Sequence, residues 1–190
     1  VIHGTAPPYR KRSHFDAQNV LESGIAPPHA VADGWLYRAL AGVDPNRRHE
    51  DLAVAVGPSI PLVLRGDKSV GSWSPDSLPE PDEDTMSRIL TLYRNDAVLA
   101  PSIEAMLAMD SMMSGAPPPR ARGNRMQPLT LAAARLLSEP DGPRIAVLES
   151  NGWDTHAGQG AATGHLANRL RGLDGILASL YQELGPVWDS

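Results

Sequence analysis

Continuous apolar runs alternate with segments of helical spacing along this chain. The runs at residues 51–57 (DLAVAVG), 60–64 (IPLVL) and 144–150 (RIAVLES) predict buried strands, because a strand covered on both faces carries apolar residues at successive positions. Residues 1–5 (VIHGT) are also β-like. Helical segments separate these runs, and the order predicts an α/β fold with a mostly parallel sheet flanked by helices.

The predicted helices carry recognisable signals at their ends. Ser13 is a good N-cap followed three residues later by Asp16, and Gly24 is a good stop signal, so a helix is predicted between them. The same reasoning gives a helix capped by Asp33 and closed by Gly42. Further helices are predicted over residues 83–96, over 101–113 with Pro101 at the first helical position, and over 128–138.

The last predicted helix, over residues 163–185, is the longest. Its leucines recur at steps of three and four and form one apolar stripe, which is typical of a helix that packs on a core. The stripe consists of Leu166, Leu170, Leu173, Leu177, Leu180 and Leu184.

Residues 1–190 are predicted to form a single domain, since this length can bury a sizeable core. Segments rich in Gly, Ser and Pro predict loops near 66–83 and 114–125. The sequence begins without methionine, inside a β-like run, and ends shortly after a long helix. We therefore expect a chain truncated at both ends.

Charge and composition limit the classes of partner. The formal net charge is −5, and an acidic protein is not attracted to nucleic acid or to an anionic membrane. The sequence contains no cysteine, which excludes disulfides and thiolate metal sites. No apolar run approaches the ~20 residues that span a bilayer, so no membrane span is expected.

Asp154 and His156 follow the apolar run at 144–150 on a glycine-rich segment. In open α/β sheets, ligands bind where loops leave the carboxyl ends of strands. Two residues apart in an extended segment, the carboxylate and the imidazole point to the same side and can share a divalent metal such as Zn²⁺, Mn²⁺, Mg²⁺ or Ca²⁺. The alternative is that Asp154 begins a turn or caps the next helix and that His156 is solvated.

Ser13 is the second candidate, because backbone N–H groups and the helix dipole converge where a helix begins. Flanked by the basic residues 10–12 and by His14, Ser13 can be a nucleophile or can bind a phosphate or sulfate group. Arg12 and His14 are then candidate substrate-binding residues. The alternative is that Ser13 and Asp16 form an ordinary helix cap. The loop histidines, His29 and His49, and His165 at the start of the last helix are expected at the surface.

Several segments together resemble a known family. They are RSHFDAQNVLESG, GWLYRALAG, LAVAVGPSIPLVLRG, LESNGWDTHAGQG and LANRLRGLDGILASLYQELG. They are similar to a bacterial domain-of-unknown-function family that is usually exported with a twin-arginine signal and is assigned to the alkaline phosphatase and sulfatase superfamily. The resemblance implies an alkaline phosphatase-like fold, incomplete in this chain, with Ser13 as nucleophile and Asp154 and His156 as ligands of one or two divalent metals.

Two functions follow as hypotheses. The first is an exported, periplasmic, metal-dependent hydrolase of phosphate or sulfate esters, seen as an internal fragment that lacks the family's remaining ligand segments. The second is a non-catalytic envelope or glycan-binding protein that retains the fold, favoured by the two-residue spacing of Asp154 and His156 where the superfamily commonly has four. The partner is accordingly a small anionic ester or a glycan. Self-association through an exposed sheet edge is also expected.

Overall fold

A computed structural model describes residues 6–44, 46–75, 82–113, 126–155 and 157–188. These ranges contain seven α-helices and three β-strands. Single 3-10 turns lie at Leu62–Leu64 and Gly185–Val187. The helices and strands, in chain order, are α1 (His14–Ser23), α2 (Trp35–Val43), α3 (His49–Leu52), β1 (Ala53–Val56), β2 (Gly71–Trp73), α4 (Glu83–Tyr93), α5 (Leu99–Met113), α6 (Met126–Ser138), β3 (Ile145–Val147) and α7 (His165–Leu184).

The three strands form one parallel sheet in the order β2-β1-β3. Val54 in β1 lies opposite Gly71 in β2 and Ala146 in β3. All four residues of the central strand are buried. The structure therefore confirms a mixed α/β fold with a parallel sheet.

The residues of β1 alternate between two apolar clusters, because successive side chains of a strand point to opposite faces. Ala53 and Ala55 face a cluster built from α2, α3 and the turn at Leu62–Leu64, whereas Val54 and Val56 face α5 and α6. Helices thus cover both faces of the sheet, as the continuous apolar run predicts. The partners on the first face are Tyr37, Leu40, Leu52, Leu64 and Val70, and on the second Met109, Met113, Ala132, Ala133 and Leu136.

Two predictions about strands are wrong. Residues 60–64 contain a 3-10 turn, in which the Leu64 N–H donates to the Pro61 carbonyl at 3.0 Å. Pro61 has no N–H to give to a strand ladder, and Leu64 is buried through the turn instead. The segment 66–83 was predicted to be a loop, but it contains the strand β2. This strand is too short to show a hydrophobic period, and it forms by parallel pairing with β1.

The run at 144–150 predicts a buried strand, yet β3 pairs only with β1 within the described residues and its own residues are half-buried. Within the run at 51–57, residues Ala53–Val56 form the fully buried central strand, whereas Asp51 and Leu52 belong to the short helix α3. Position in the sheet, which the run alone does not encode, decides this difference. The β-like run at 1–5 lies outside the described residues, as does the loop predicted at 114–125.

The ends of α1 are confirmed. Ser13 is its N-cap, and Gly24 takes up the left-handed conformation, with φ of 69°, just after the last turn. The start of α2 differs from the prediction, because its N-cap is Gly34 and the Asp33 carboxylate accepts a hydrogen bond from Arg38 at 2.8 Å. The helix also continues through Gly42 to Val43.

Pro101 is the third residue of α5, because the helix begins earlier, at Leu99. The Asp96 carboxylate accepts hydrogen bonds from the Val98 and Leu99 N–H groups at 2.9 and 2.8 Å. The Asp96 side chain therefore caps the start of this helix, which begins at Leu99, two residues before Pro101.

The leucine stripe of α7 is only partly buried. The helix packs on α6, and Ile176, at the margin of the stripe, is its buried residue. Leu170, Leu177 and Tyr181 in contrast are 52%, 50% and 60% exposed. The spacing of the leucines correctly predicts the helix, but it does not predict which face of the helix is buried.

None of the helices within the described ranges is long and apolar enough to cross a membrane.

Candidate functional site

The start of α1 and the loop between β3 and α7 meet in the folded chain. The Nε2 atom of His14 lies 3.8 Å from the Oδ2 atom of Asp154. Both side chains face solvent, with exposed fractions of 66% and 51%. The two clusters that the sequence analysis treated separately are therefore parts of one candidate site.

Ser13 lies beside this contact as the N-cap of α1. Its backbone is extended, and its Oγ atom accepts a hydrogen bond from the Asp16 N–H at 3.2 Å. The predicted cap is confirmed, whereas the role of Ser13 as a nucleophile stays a prediction. The first N–H groups of the helix and its dipole favour negative charge near this hydroxyl.

The Asp16 carboxylate joins two further side chains at the start of α1. The Tyr9 hydroxyl donates a hydrogen bond to Oδ2 at 2.7 Å, and the Nε2 atom of His29 lies 3.3 Å from Oδ1. The hydrogen bond from Tyr9 lowers the pKa of Asp16, and hydrogen bonds with His29 and Ser13 lower it further. The same bond to Asp16 raises the pKa of Tyr9. Asp16 is thus held as a carboxylate one helical turn from Ser13.

His29 reaches Asp16 through an unusual backbone conformation. Its φ is 60°, in the left-handed region that is uncommon for residues other than glycine. The Asn19 side chain holds it there, since Oδ1 accepts the His29 N–H at 2.7 Å. His29 is exposed, as predicted. Its contact with Asp16 was not predicted, because no regular sequence spacing connects two residues joined by an irregular loop.

His49 and His165 lie away from the start of α1. His165 is the exposed first residue of α7, as expected. His49 is half-buried, with its ring centroid 4.9 Å from that of Tyr37, which corrects its predicted surface position.

Glycines shape the loop that carries Asp154. Gly152, Gly158 and Gly160 have φ values of 84°, 66° and 70°, which L-residues with a β-carbon rarely adopt. The Trp153 indole N–H donates to Ser150 Oγ at 3.2 Å and fixes the segment between strand and site. The glycine-rich composition therefore reflects a folded loop with several left-handed positions.

Arg169 of α7 is the main residue of this region that the sequence analysis missed. A β-carbon added at Gly152 would lie 2.3 Å from its Nη2 atom, so the guanidinium rests against the α-carbon of Gly152. Arg169 occupies one of many polar positions on a long helix, and no pattern in the sequence distinguishes it. Arg12 is exposed and adjoins Ser13 in the chain.

The two donor atoms that meet at the site, His14 Nε2 and Asp154 Oδ2, are of types that can bind a divalent metal. Imidazole nitrogen and carboxylate oxygen bind Zn²⁺ at about 2.0–2.2 Å, and the 3.8 Å between His14 and Asp154 is short enough for one ion to contact both. No group of three His, Asp or Glu side chains with metal-binding geometry occurs in the described part of the chain. His156, the predicted second ligand, lies outside the described residues.

The fold and the site together define an α/β domain with a parallel sheet and a polar, solvent-facing cluster that includes the loop after its third strand. Over residues 5–190 the sequence matches the family described as "Protein of unknown function (DUF1501)", and the chain belongs to that family. Neither the curated proteins nor the solved structures gave a significant match to the chain.

Proposed function

We propose that this protein is a metal-dependent hydrolase of phosphate or sulfate esters. The observation that carries the proposal is the 3.8 Å contact between His14 and Asp154, because it joins the helix start that bears Ser13 to the loop after β3. A hydroxyl at a helix N-terminus near carboxylate and imidazole groups is one combination that can support ester hydrolysis. The resemblance to the alkaline phosphatase and sulfatase superfamily supports the same chemistry.

Ser13 is the proposed nucleophile. Its Oγ atom would give its proton to solvent water and attack the phosphorus or sulfur atom. The Oγ–P or Oγ–S bond would form as the bond to the ester oxygen breaks, and that oxygen would leave as an alcohol after taking a proton from water. A second water molecule would then cleave the Oγ–P or Oγ–S bond, releasing phosphate or sulfate and restoring the serine hydroxyl. The Ser13 Oγ atom accepts the Asp16 N–H, and the α1 N-terminus favours the negative charge that develops on this oxygen.

Asp154 and His14 are the described residues that would hold the metal, with His156 as a further proposed ligand. A divalent cation held by these residues would polarise the ester and stabilise the charge that develops on it. Arg12 is proposed to attract the anionic substrate to the candidate site.

Three variants test this function. Ser13→Asn keeps a good N-cap but removes the hydroxyl, Ser13→Thr keeps both, and Asp154→Asn removes a charged ligand. We expect wild-type protein to hydrolyse an aryl phosphate or an aryl sulfate, Ser13→Thr to retain measurable turnover, and the other two to lose it. Asp154→Asn should also lose bound metal, measured by mass spectrometry after dialysis. Turnover that survives in Ser13→Asn would contradict the role of Ser13.

An alkaline phosphatase-like arrangement of the whole fold and a periplasmic location after export belong to the same proposal, and both rest on the resemblance. Self-association through the outer edge of β3 is proposed as well. Within the described residues that strand pairs only with β1, and an unpaired edge can accept another strand. A strictly monomeric species in light scattering would contradict this pairing.

A second candidate function is binding of a glycan or another envelope component without catalysis. The exposure of His14 and Asp154, at 66% and 51%, favours it, because an open surface accepts a polymer more readily than an enclosed pocket does. A glycan array distinguishes the two functions. Binding lost in Asp154→Asn, together with no turnover of either ester, would favour the binding protein.

A further inference from the structure

The leucine stripe of α7 stays exposed along one side of the helix. At one margin of the stripe Ile176 is buried, and the helix packs on α6. Leu170, Leu173 and Leu177 lie at the centre of the stripe and are between 36% and 52% exposed. Single exposed leucines are ordinary on a protein surface, whereas a continuous apolar row marks an interaction site. The row is therefore a candidate contact surface.

The spacing of these leucines is that of a coiled coil. The six leucines follow one another at steps of four, three, four, three and four residues. Leu170, Leu177 and Leu184 thus occupy the a positions of a heptad repeat, and the other three leucines occupy its d positions. An apolar stripe confined to a and d is the narrow seam between two paired helices, whereas a helix on a globular core has a wider apolar face. The pattern therefore indicates a second helix as partner, and this helix is not α6, because α6 leaves the central leucines exposed.

The residues that flank the stripe are complementary to those of a second copy of the same helix. In a parallel pair, each g residue lies beside the e residue that follows it on the other helix. Arg169 at g would then meet the oppositely charged Asp174 at e, and Ile176 at g would meet Tyr181 at e. In an antiparallel pair that matches all six leucines, Asp174 would meet Asp174 of the other copy, and like charges repel. The charges therefore favour a second copy in parallel orientation.

We propose that α7 is the interface of a homodimer in which the leucine stripes of two copies pair as a parallel coiled coil. On a twofold axis each a residue meets its own equivalent, so Leu170 and Leu177 of one copy pack against the same two leucines of the other. Burial of their exposed apolar area supplies the driving force. The inference is independent of the proposed hydrolase, because it uses none of the proposed catalytic or metal-binding residues. It also differs from pairing through β3, which would extend the sheet and leave the leucines exposed.

Leu177→Asp and Ala178→Asp are a matched pair of tests. Leu177 lies at an a position, and Ala178 is exposed at the next position, outside the seam. Leu177→Asp would bury an unpaired charge between the two helices, so we expect it to raise the dimer dissociation constant by about 100-fold or more. Ala178→Asp adds the same charge outside the seam and should change the constant by less than about 3-fold. Sedimentation equilibrium measures the constants, and circular dichroism establishes that each variant is folded.

A single introduced cysteine provides an independent test, because the chain has no cysteine of its own. In a parallel pair, residue 177 of one copy faces residue 177 of the other, within the Cα separation of about 4.4–6.8 Å that a disulfide needs. We expect Leu177→Cys to form a disulfide-linked dimer under mild oxidation, seen by electrophoresis without reductant. Ala178→Cys is the control and should remain largely uncrosslinked.

Asp174→Asn tests the direction of the pairing. In the parallel dimer this change removes two attractions to Arg169 and should weaken dimerisation by about 2- to 5-fold, as expected for exposed ion pairs. In an antiparallel dimer the same change would remove a repulsion and strengthen dimerisation.

The outcomes decide both the interface and its orientation. A dimer that Leu177→Asp disrupts and Leu177→Cys crosslinks supports the inference. Wild-type protein that stays monomeric would overturn it. A dimer that persists in Leu177→Asp would overturn it as well and would favour pairing through β3. Dimerisation that Asp174→Asn strengthens, or that Leu177→Cys does not crosslink, would overturn the parallel arrangement.

Discussion

The surroundings of β1 and the surroundings of Asp154 are built in opposite ways. The residues of β1 are at most 2% exposed and have apolar neighbours on both faces of the sheet. At the candidate site, the His14 and Asp154 side chains are mainly exposed and come from elements far apart in sequence. One region is specified by apolar burial, the other by polar contacts between loops and helix ends.

We therefore expect stability and function to be largely separable in this protein. Burial of apolar area contributes most of the free energy of folding, whereas exposed ion pairs contribute little. Substitutions around β1 should therefore change the free energy of unfolding, and substitutions at the site should change binding or turnover. The following predictions test that separation, beginning with the largest expected effect.

Leu136→Ala should destabilise the protein most. Leu136 is 0% exposed and packs against the sheet in the same cluster as Val54 and Val56, so its truncation leaves a cavity that costs about 2–5 kcal/mol. Urea unfolding measures the change. Leu92→Ala, at a residue that is 74% exposed, is the control and should change stability by less than about 0.5 kcal/mol. Equal effects would contradict the assignment of the core.

The glycines at the two ends of α2, Gly34 and Gly42, should change the free energy of unfolding in opposite directions when each is replaced by alanine. A β-carbon at Gly34 would lie 2.2 Å from the Val63 carbonyl oxygen, so Gly34→Ala forces backbone apart and should cost about 1–3 kcal/mol. Gly42 lies inside the helix with no atom within 4 Å of an added β-carbon. Gly42→Ala should therefore stabilise by up to about 1 kcal/mol. Thermal unfolding of both variants checks the signs.

Ser13→Ala and Asp154→Asn should separate the structural and functional parts of the site. Loss of the Ser13 cap should cost about 1 kcal/mol. Asp154→Asn removes an exposed carboxylate and should change stability by less than about 0.5 kcal/mol. Urea unfolding compares the two variants. A large destabilisation by Asp154→Asn would mean that the loop is part of the core structure, contrary to the comparison above.

The smallest expected effect concerns pH. The hydrogen bond from Tyr9 is the main cause that lowers the pKa of Asp16 from 3.8. The stability that the ionised Asp16 contributes is therefore present above pH 3.8, and it is lost as the pH falls through the pKa of Asp16 in the folded protein. The pKa of Tyr9 is raised from 10.0, so its contribution is present below 10.0 and is lost as pH rises through the folded value.

Tyr9→Phe removes this coupling. Wild type should be slightly more stable than the variant near neutral pH, and the difference should shrink towards both acid and alkaline pH. Denaturant unfolding across the pH range measures it. Parallel stability curves would show that the Tyr9–Asp16 bond does not contribute to folding.

The helices were the most predictable part of the fold. End signals such as Ser13 and Gly24 act within one turn of the chain, so they can be read locally and both are confirmed. The strand β2 was missed because its three residues have no pattern of their own and depend on pairing with β1. The rotation of α7, which leaves Leu170 and Leu177 exposed, depends on the position of α6.

The candidate site was predictable in its parts but not in its assembly. Ser13, His14 and Asp154 could be selected because their residue types suit the chemistry and their positions adjoin a helix start or a strand end. The contact between His14 and Asp154 joins distant parts of the chain. His29 and Arg169 were not selected because each reaches its neighbours, Asp16 and Gly152, only through the folded backbone.

From the amino-acid sequence alone, the helices other than α3, both ends of α1 and a buried strand at β1 could be predicted. These features follow from side-chain chemistry and spacing over a few residues, since hydrogen bonds within a helix and apolar periodicity are local. The order of the strands, the exposed face of α7, the contact of His14 with Asp154 and the contact of Arg169 with Gly152 depend on the tertiary structure. Contacts between distant residues depend on how all elements pack together, which no short stretch of sequence contains.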